Sequence, residues 1–308
     1  MRRHRECKNS SAPGGGLYPD YGYLKGLKLL LIAVAAAAIS PSCGVAQEAD
    51  AAALAQAAQN PLASVISVPL QWNSNFGMGL EDRTQNVILL LPVFPFSLGE
   101  KLTLITRHIL PFINQPAITG DGPAFGPIPM PPGRPPEEFD RATGLGDYSG
   151  TFWLSPAGSG NLTWGLGATL LIPTATKPAF GADKWGAGPS GVVVWMPGSW
   201  VTALIISNTW SFAGNEERAD VNQLYAQLVA NLNIGKGWYL TSAPVITANW
   251  EAESEDRWTV PIGGGAGRIF KIGTLPNDVR LQAFGYLAKP TNGPAWTLQI
   301  QWKLMFAK

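Results

Sequence analysis

Few residues of this 308-residue chain are equipped for covalent chemistry. Beyond residue 46 there is one histidine, His108, which stands between Arg107 and Ile109 with no serine motif beside it. A hydrolytic site needs a base beside a nucleophile, with a third group to orient the base. His108 therefore reads as a wall position rather than a catalyst. Both cysteines, Cys7 and Cys43, precede residue 46, which leaves no disulfide framework and no thiolate metal site after it. The acidic run Glu251-Ala252-Glu253-Ser254-Glu255-Asp256 lacks the spacing of a calcium loop and reads as a solvated hairpin tip. The glycines at 263, 264, 265 and 267 have no helix after them, as a dinucleotide site would require. In a strand, they make room for a bulky neighbour or a bend. No cofactor and no metal are expected.

What remains is non-covalent chemistry. Arg83, Gln85, Arg107, Gln223, Gln227, Asn231, Arg257, Arg280, Gln282, Gln299, Gln301 and Lys303 are polar residues set among apolar ones. Facing a narrow pore, such side chains bind a solute weakly and set selectivity. They could equally pair with one another and only hold a wall together.

Strands are the elements that would position them. Trp296, Leu298, Ile300, Trp302, Leu304 and Phe306 alternate with Thr297, Gln299, Gln301, Lys303 and Met305. Successive strand side chains point to opposite faces, so this segment has one greasy and one mostly polar face. The same design recurs in 161–172, 221–234 and 257–271. Breakers divide the chain into twelve segments: roughly 62–72, 84–95, 101–114, 145–155, 161–173, 185–196, 200–212, 221–234, 238–250, 257–271, 278–288 and 295–306. In the second, third and seventh, apolar residues fall on both faces.

The links between segments alternate in length. Those at 97–100, 156–160, 197–199 and 235–237 are short, and those at 73–83, 115–144, 174–184, 213–220 and 251–256 are longer. Transmembrane barrels have short turns at one rim and longer loops at the other. Aromatic residues gather near predicted strand ends: Trp72, Trp164, Trp185, Trp200, Trp210, Trp238, Tyr239, Trp250, Trp258 and Trp296. Girdles of this kind mark the two membrane interfaces. Composition agrees: 14% charged residues is well below the quarter or so of a soluble domain, and 35 Gly and 26 Pro suit many short strands and turns.

Lys25 and Lys28 precede the apolar run 29–39, the length of a signal-peptide core and too short to span a bilayer. Gly44-Val45-Ala46 places the expected cut after Ala46. Beyond it, sixteen basic residues face nineteen acidic ones, which gives no reason to expect nucleic acid. No later apolar run approaches the spanning length of a helix, so the remaining chain is either soluble or a barrel. Residues 49–58 have high helix propensity and predict a short periplasmic helix before the first strand. The Pro- and Gly-rich stretch 115–144 predicts an irregular outer loop that caps the mouth or folds inward.

Particular stretches carry a family likeness. Among them are Ser67-Val68-Pro69-Leu70-Gln71, Asp82-Arg83-Thr84-Gln85-Asn86-Val87, Trp210-Ser211-Phe212-Ala213-Gly214, Gly237-Trp238-Tyr239-Leu240-Thr241-Ser242 and Arg257-Trp258-Thr259-Val260-Pro261. From about residue 60 onward the chain resembles the bacterial outer-membrane barrel family labelled "transporter" or "neuromedin U". It is similar to the barrels associated with phenol meta-pathway degradation. The resemblance implies passage of small molecules, aromatic or hydrophobic ones among them.

The expected organisation is an export signal over 1–46, a helix or linker over 47–60, and an all-β antiparallel transmembrane barrel of about twelve strands over 61–308. The expected location is the outer membrane, and the expected partners are its lipid and the barrel-assembly machinery, with a monomer favoured. The leading expectation is a channel. The alternatives are a closed structural barrel whose outer loops bind a partner and, disfavoured by the histidine count, a lipid-modifying enzyme.

Overall fold

The computed structural model describes residues 55–116, 141–158 and 160–306. The expected export signal, residues 49–54 of the expected helix, most of the loop over 115–144, and Ala307 and Lys308 lie outside the described residues. Fifteen strands form one antiparallel sheet that closes on itself as a twelve-stranded barrel. Nine wall strands are continuous: β1 (Ile66–Met78), β4 (Leu102–Gln115), β7 (Leu162–Ile172), β8 (Lys184–Trp195), β9 (Trp200–Gly214), β10 (Asn222–Gly235), β13 (Trp258–Ile272), β14 (Leu275–Ala288) and β15 (Trp296–Phe306). Three are interrupted: β2 (Arg83–Leu90) with β3 (Val93–Leu98), β5 (Ala142–Leu145) with β6 (Tyr148–Pro156), and β11 (Trp238–Ser242) with β12 (Val245–Asn249).

β1 and β15 close the barrel in an unbroken register from Ile66↔Phe306 to Phe76↔Trp296. Closure pairs every wall strand on both sides and leaves no open sheet edge, which a bilayer would not tolerate. Two of the three interruptions fall at a proline, Pro92 and Pro244, each of which lacks the donor a ladder needs.

The twelve expected segments correspond one to one with the twelve wall strands. The first is displaced: β1 starts at Ile66 and runs on to Met78, so the expected long link over 73–83 shrinks to residues 79–82. Asn73, Ser74 and Asn75 look like turn residues locally. In the barrel, Asn73 and Asn75 face the lumen and bond to neighbouring strands, which carries the strand onward. The other expected long links, over 174–184, 213–220 and 251–256, do lie at one rim, opposite the short turns.

Outward-facing tryptophans ring both rims. Trp185, Trp210, Trp250, Trp258 and Trp296 stand at the long-loop end, and Trp164, Trp195, Trp200 and Trp238 at the short-turn end. Tyr239 departs from the expected girdle. It faces inward, is 1% exposed, and donates to Asp278 Oδ1 at 2.6 Å.

The inward side of β13 is bare glycine at 263, 265 and 267, as the sequence led us to expect of a strand that must admit bulky neighbours. The outer end of the Tyr239 ring lies against Gly267, and a methyl group there would sit 2.3 Å from Tyr239 Cζ. Gly267→Ala should therefore cost about 1–3 kcal/mol by overpacking. The measurement is the temperature at which the folded band is lost in heat-modifiable gel mobility. An unchanged temperature would show that the ring yields freely.

Candidate functional site

The lumen has two chemically different faces. Its polar face is an amide ladder on the inward positions of β14, β15, β1 and β2. Asn75 Nδ2 donates to Gln85 Oε1 at 2.6 Å, Gln85 donates to Gln115, and Thr297 Oγ1 donates to Asn75 Oδ1 at 2.7 Å. One rung nearer the short-turn rim, Gln282 Nε2 donates to Gln299 Oε1 at 2.7 Å. Gln299 Nε2 and Gln71 Nε2 both donate to Asn73 Oδ1, at 3.0 and 3.2 Å. These amides are buried, so each must find a partner inside the barrel.

The facing side is apolar. Ile105, Trp153, Val192, Val194, Val201, Ala203 and Ile205 form one buried cluster on β4, β6, β8 and β9. Val87, Leu89, Leu91, Ile109, Ile113 and Phe180 form a second towards the long-loop rim. These inward apolar residues explain why the second, third and seventh expected segments were greasy on both faces.

Arg107 bridges the lumen between two strands of its wall. It projects from β4 to β10, where Nη2 donates to Tyr225 OH at 3.1 Å and to Gln227 Oε1 at 3.5 Å. Tyr225 OH donates to Gln227 Oε1 at 2.9 Å, and the guanidinium sits 5.6 Å from the Tyr225 ring centroid. Four wall strands separate β4 from β10 by the shorter way round, so this bar spans the lumen rather than running along the wall. Three internal cavities, of about 30, 40 and 120 Å³, meet at Arg107.

Both ends are covered. At the short-turn mouth, the expected short helix is present over residues 55–59 and seats against the inner wall. Lys303 Nζ donates to Ala58 O at 2.8 Å, Gln56 Nε2 to Gly198 O at 3.0 Å, and Gln59 Nε2 to Asn233 Oδ1 at 3.0 Å. Ala55 and Ala58 pack on Tyr239, Ile269 and Met305. Lys303 also lies 3.4 Å from Asp278.

At the other mouth, the loop between β7 and β8 turns Phe180 inward at a short 3₁₀ helix, Pro178–Phe180, and buries it among Val87, Leu89 and Ile113. Asp147 holds this loop down by accepting from Ala182 N at 2.8 Å and Ala175 N at 3.1 Å. Arg218 adds bonds to Pro178 O and Gly181 O. Lys184 bonds Asp220 at 3.1 Å and holds that carboxyl below its ordinary value.

Of the expected lumen residues, Gln85, Arg107, Gln223, Gln227, Asn231, Arg280, Gln282, Gln299, Gln301 and Lys303 take inward positions on their strands. Arg83 and Arg257 do not join them. Arg83 pairs with Glu81 beside the β1–β2 turn, and Arg257 folds onto its own loop at Ala252 O. Asn73 Nδ2, Asn231 Oδ1 and Gln301 Oε1 are buried without a partner among the described residues, and a solute or water in the lumen could bond to them.

His108 faces outward from β4, between Thr106 Oγ1 at 3.0 Å and Tyr148 OH at 2.5 Å, with Phe94 and Phe152 beside it. A hydroxyl beside an imidazole is the wiring of a nucleophile and base. Here Thr106 is 6% exposed, and its hydroxyl also lies 3.4 Å from Phe94 O. The row satisfies its own polar groups on an apolar face. Sequence reasoning missed this row, the Phe180 cover and the entry of the helix, because each depends on partners from other strands.

No protein-family model matches the chain, and no curated protein matches it. Among solved structures, it resembles an outer-membrane channel from Pseudomonas putida F1, at 19% identity with a TM-score of 0.56. That match covers 79% of this chain and 94% of the other. The CymD monoaromatic hydrocarbon channel matches at 11% identity and a TM-score of 0.39, covering 83% of this chain and 90% of that one. Phospholipase A from the Escherichia coli outer membrane matches at 10% identity and 0.41, covering 78% and 90%. The first likeness is one of fold, and the other two superpose too loosely to carry an argument.

Proposed function

We propose that the chain is an outer-membrane channel for small, weakly polar molecules of about the size of a single aromatic ring. The observation that carries this reading is the two-faced lumen. A solute with an apolar body and one polar group can lie against Leu89, Leu91, Ile109 and Phe284 while its polar end meets Asn73 or Gln299, all of which line one cavity. An ion would find mainly neutral amides, and Lys303 and Asp278 lie against each other. The fold likeness to the Pseudomonas channel supports the reading, as does the resemblance to barrels associated with phenol degradation. On the same reading, the two covered mouths make the resting channel tight, so its basal conductance is low.

The test is uptake of radiolabelled toluene and phenol by porin-deficient cells expressing the chain, with arabinose as the polar control. Both aromatics should enter faster than in cells without the chain, and arabinose should not. Equal uptake with and without the chain would sink the reading and favour a closed structural barrel.

A further inference from the structure

Charge in the lumen is gathered at one level, beside the helix over residues 55–59 that plugs the short-turn mouth. The internal cavity of about 120 Å³ is lined there by three cations, Arg107, Arg280 and Lys303, and by one carboxylate, Asp278. That carboxylate is already engaged. Its Oδ1 accepts from Tyr239 OH at 2.6 Å, and its Oδ2 lies 3.4 Å from Lys303 Nζ.

The two arginines are not neutralised in this way. Arg107 bonds to the neutral groups of Tyr225 and Gln227. Arg280 stands on β14 in register with Gly267 on one side and Gln301 on the other. Its Nε is buried without a hydrogen-bond partner among the described residues, and the ion pairs among those residues do not include it. A guanidinium carries five donors in a planar fork. Burying it with no acceptor opposite costs free energy that a purely structural role would not repay.

Two amides on the same cavity repeat the pattern. Asn231 and Gln301 are buried, and the side-chain oxygen of each lacks a partner among the described residues. A half-turn of either amide presents its NH₂ instead. The cavity also continues into an apolar one. Gln71, Leu91, Arg107 and Gln227 line both it and the cavity of about 40 Å³ whose walls include Leu89, Ile109 and Phe284.

We propose that this cavity binds a small organic carboxylate with an apolar body, such as a single-ring aromatic acid. The carboxylate lies between Arg280 and Arg107, and the body extends along Leu91 and Leu89. This rests on the channel reading for its role and adds a class of solute to it. The arginine fork matches a planar carboxylate, which can take two parallel hydrogen bonds from it. Inorganic phosphate is hydrated on all sides and would lose that water against the leucines.

The experiment is equilibrium dialysis of radiolabelled benzoate against the purified full chain in detergent, with benzylamine as the cationic control. Benzoate should bind and benzylamine should not. Arg280→Gln should weaken benzoate binding by roughly tenfold or more, the loss expected of one charge-assisted hydrogen bond. Arg280→Lys keeps the charge without the fork and should lose less. Benzylamine binding as tight as that of benzoate overturns the proposal, and so does full benzoate affinity in a folded Arg280→Gln variant. If inorganic phosphate displaces the label as well as unlabelled benzoate does, the site takes anions at large and the assigned solute class is wrong. Should Arg280→Gln lose the folded band in gel mobility, the comparison of benzoate with benzylamine on the unaltered chain decides alone. Toluene uptake by porin-deficient cells separates this proposal from the channel reading. A chain that passes toluene but binds no benzoate keeps the channel and loses the site. A chain that binds benzoate but passes no toluene keeps the site and loses the channel.

Discussion

If the barrel conducts as proposed, Lys303→Met will raise its conductance in planar bilayers by roughly tenfold or more. Lys303 holds the plug by its bond to the Ala58 carbonyl, at the C-terminal end of the 55–59 helix. A hydrogen bond from a charged donor contributes about 1.5–3 kcal/mol. At about 1.4 kcal/mol per tenfold, losing it multiplies the undocked population by roughly 10- to 100-fold. The bonds of Gln56 and Gln59 remain, so the plug is loosened rather than lost. Opening should therefore appear as longer or more frequent open events, not as a larger unitary current. A change in unitary current with unchanged open time would place Lys303 in the permeation path instead. Gln59→Ala should act in the same direction but more weakly, because its bonds are between neutral groups.

Arg107→Ala will have the second large effect, and on a different quantity. Its guanidinium crosses the lumen where the three cavities meet, so truncation joins them into one. Unitary conductance should rise, and any preference for anions should fall with the lost positive charge. Tyr225 and Gln227 keep their own bond, so the far end of the bar does not collapse. Arg107→Lys separates charge from shape. It preserves the positive charge but not the planar fork on Tyr225, so it should keep the ion preference and enlarge the passage. If Arg107→Ala left unitary conductance unchanged, the narrowest point would lie elsewhere, at Phe180 or the plug. Together with Lys303→Met, the variant distinguishes closure at the mouth from constriction at the centre.

The wall was legible in the sequence because strand alternation is local. A run such as Leu162 to Ile172 declares its two faces without reference to any other part of the chain. The segments where alternation failed were informative in a way that became clear only on closure. Val87 and Leu89, Ile105 and Ile109, and Val201 and Ile205 are greasy on the inward face because they build the apolar half of the lumen. Parity alone assumes a polar interior and so has no place for them. Arg107 was legible as a lumen residue but not as a crossbar, since Tyr225 lies across the barrel. Arg83 and Arg257 have inward parity yet sit at strand starts, where their loops capture them. The plug was legible as a helix, from the alanine-rich run, but its seat was not, because Lys303 and Asn233 belong to β15 and β10. Asn73 and Asn75 misled for a related reason: an asparagine that would turn a free chain extends a strand when buried amides await it.

The bond from Lys303 to Ala58 joins residues 245 positions apart, and Asn73 meets Gln299 across 226. Contacts so distant in sequence form late, because the loop they close is nearly the whole chain. The plug can thus be latched only after the last strand has been made and has found the first. Assembly therefore passes through a barrel whose lower mouth is still open. Among the described elements, the helix that precedes the first strand is thus among the last to settle.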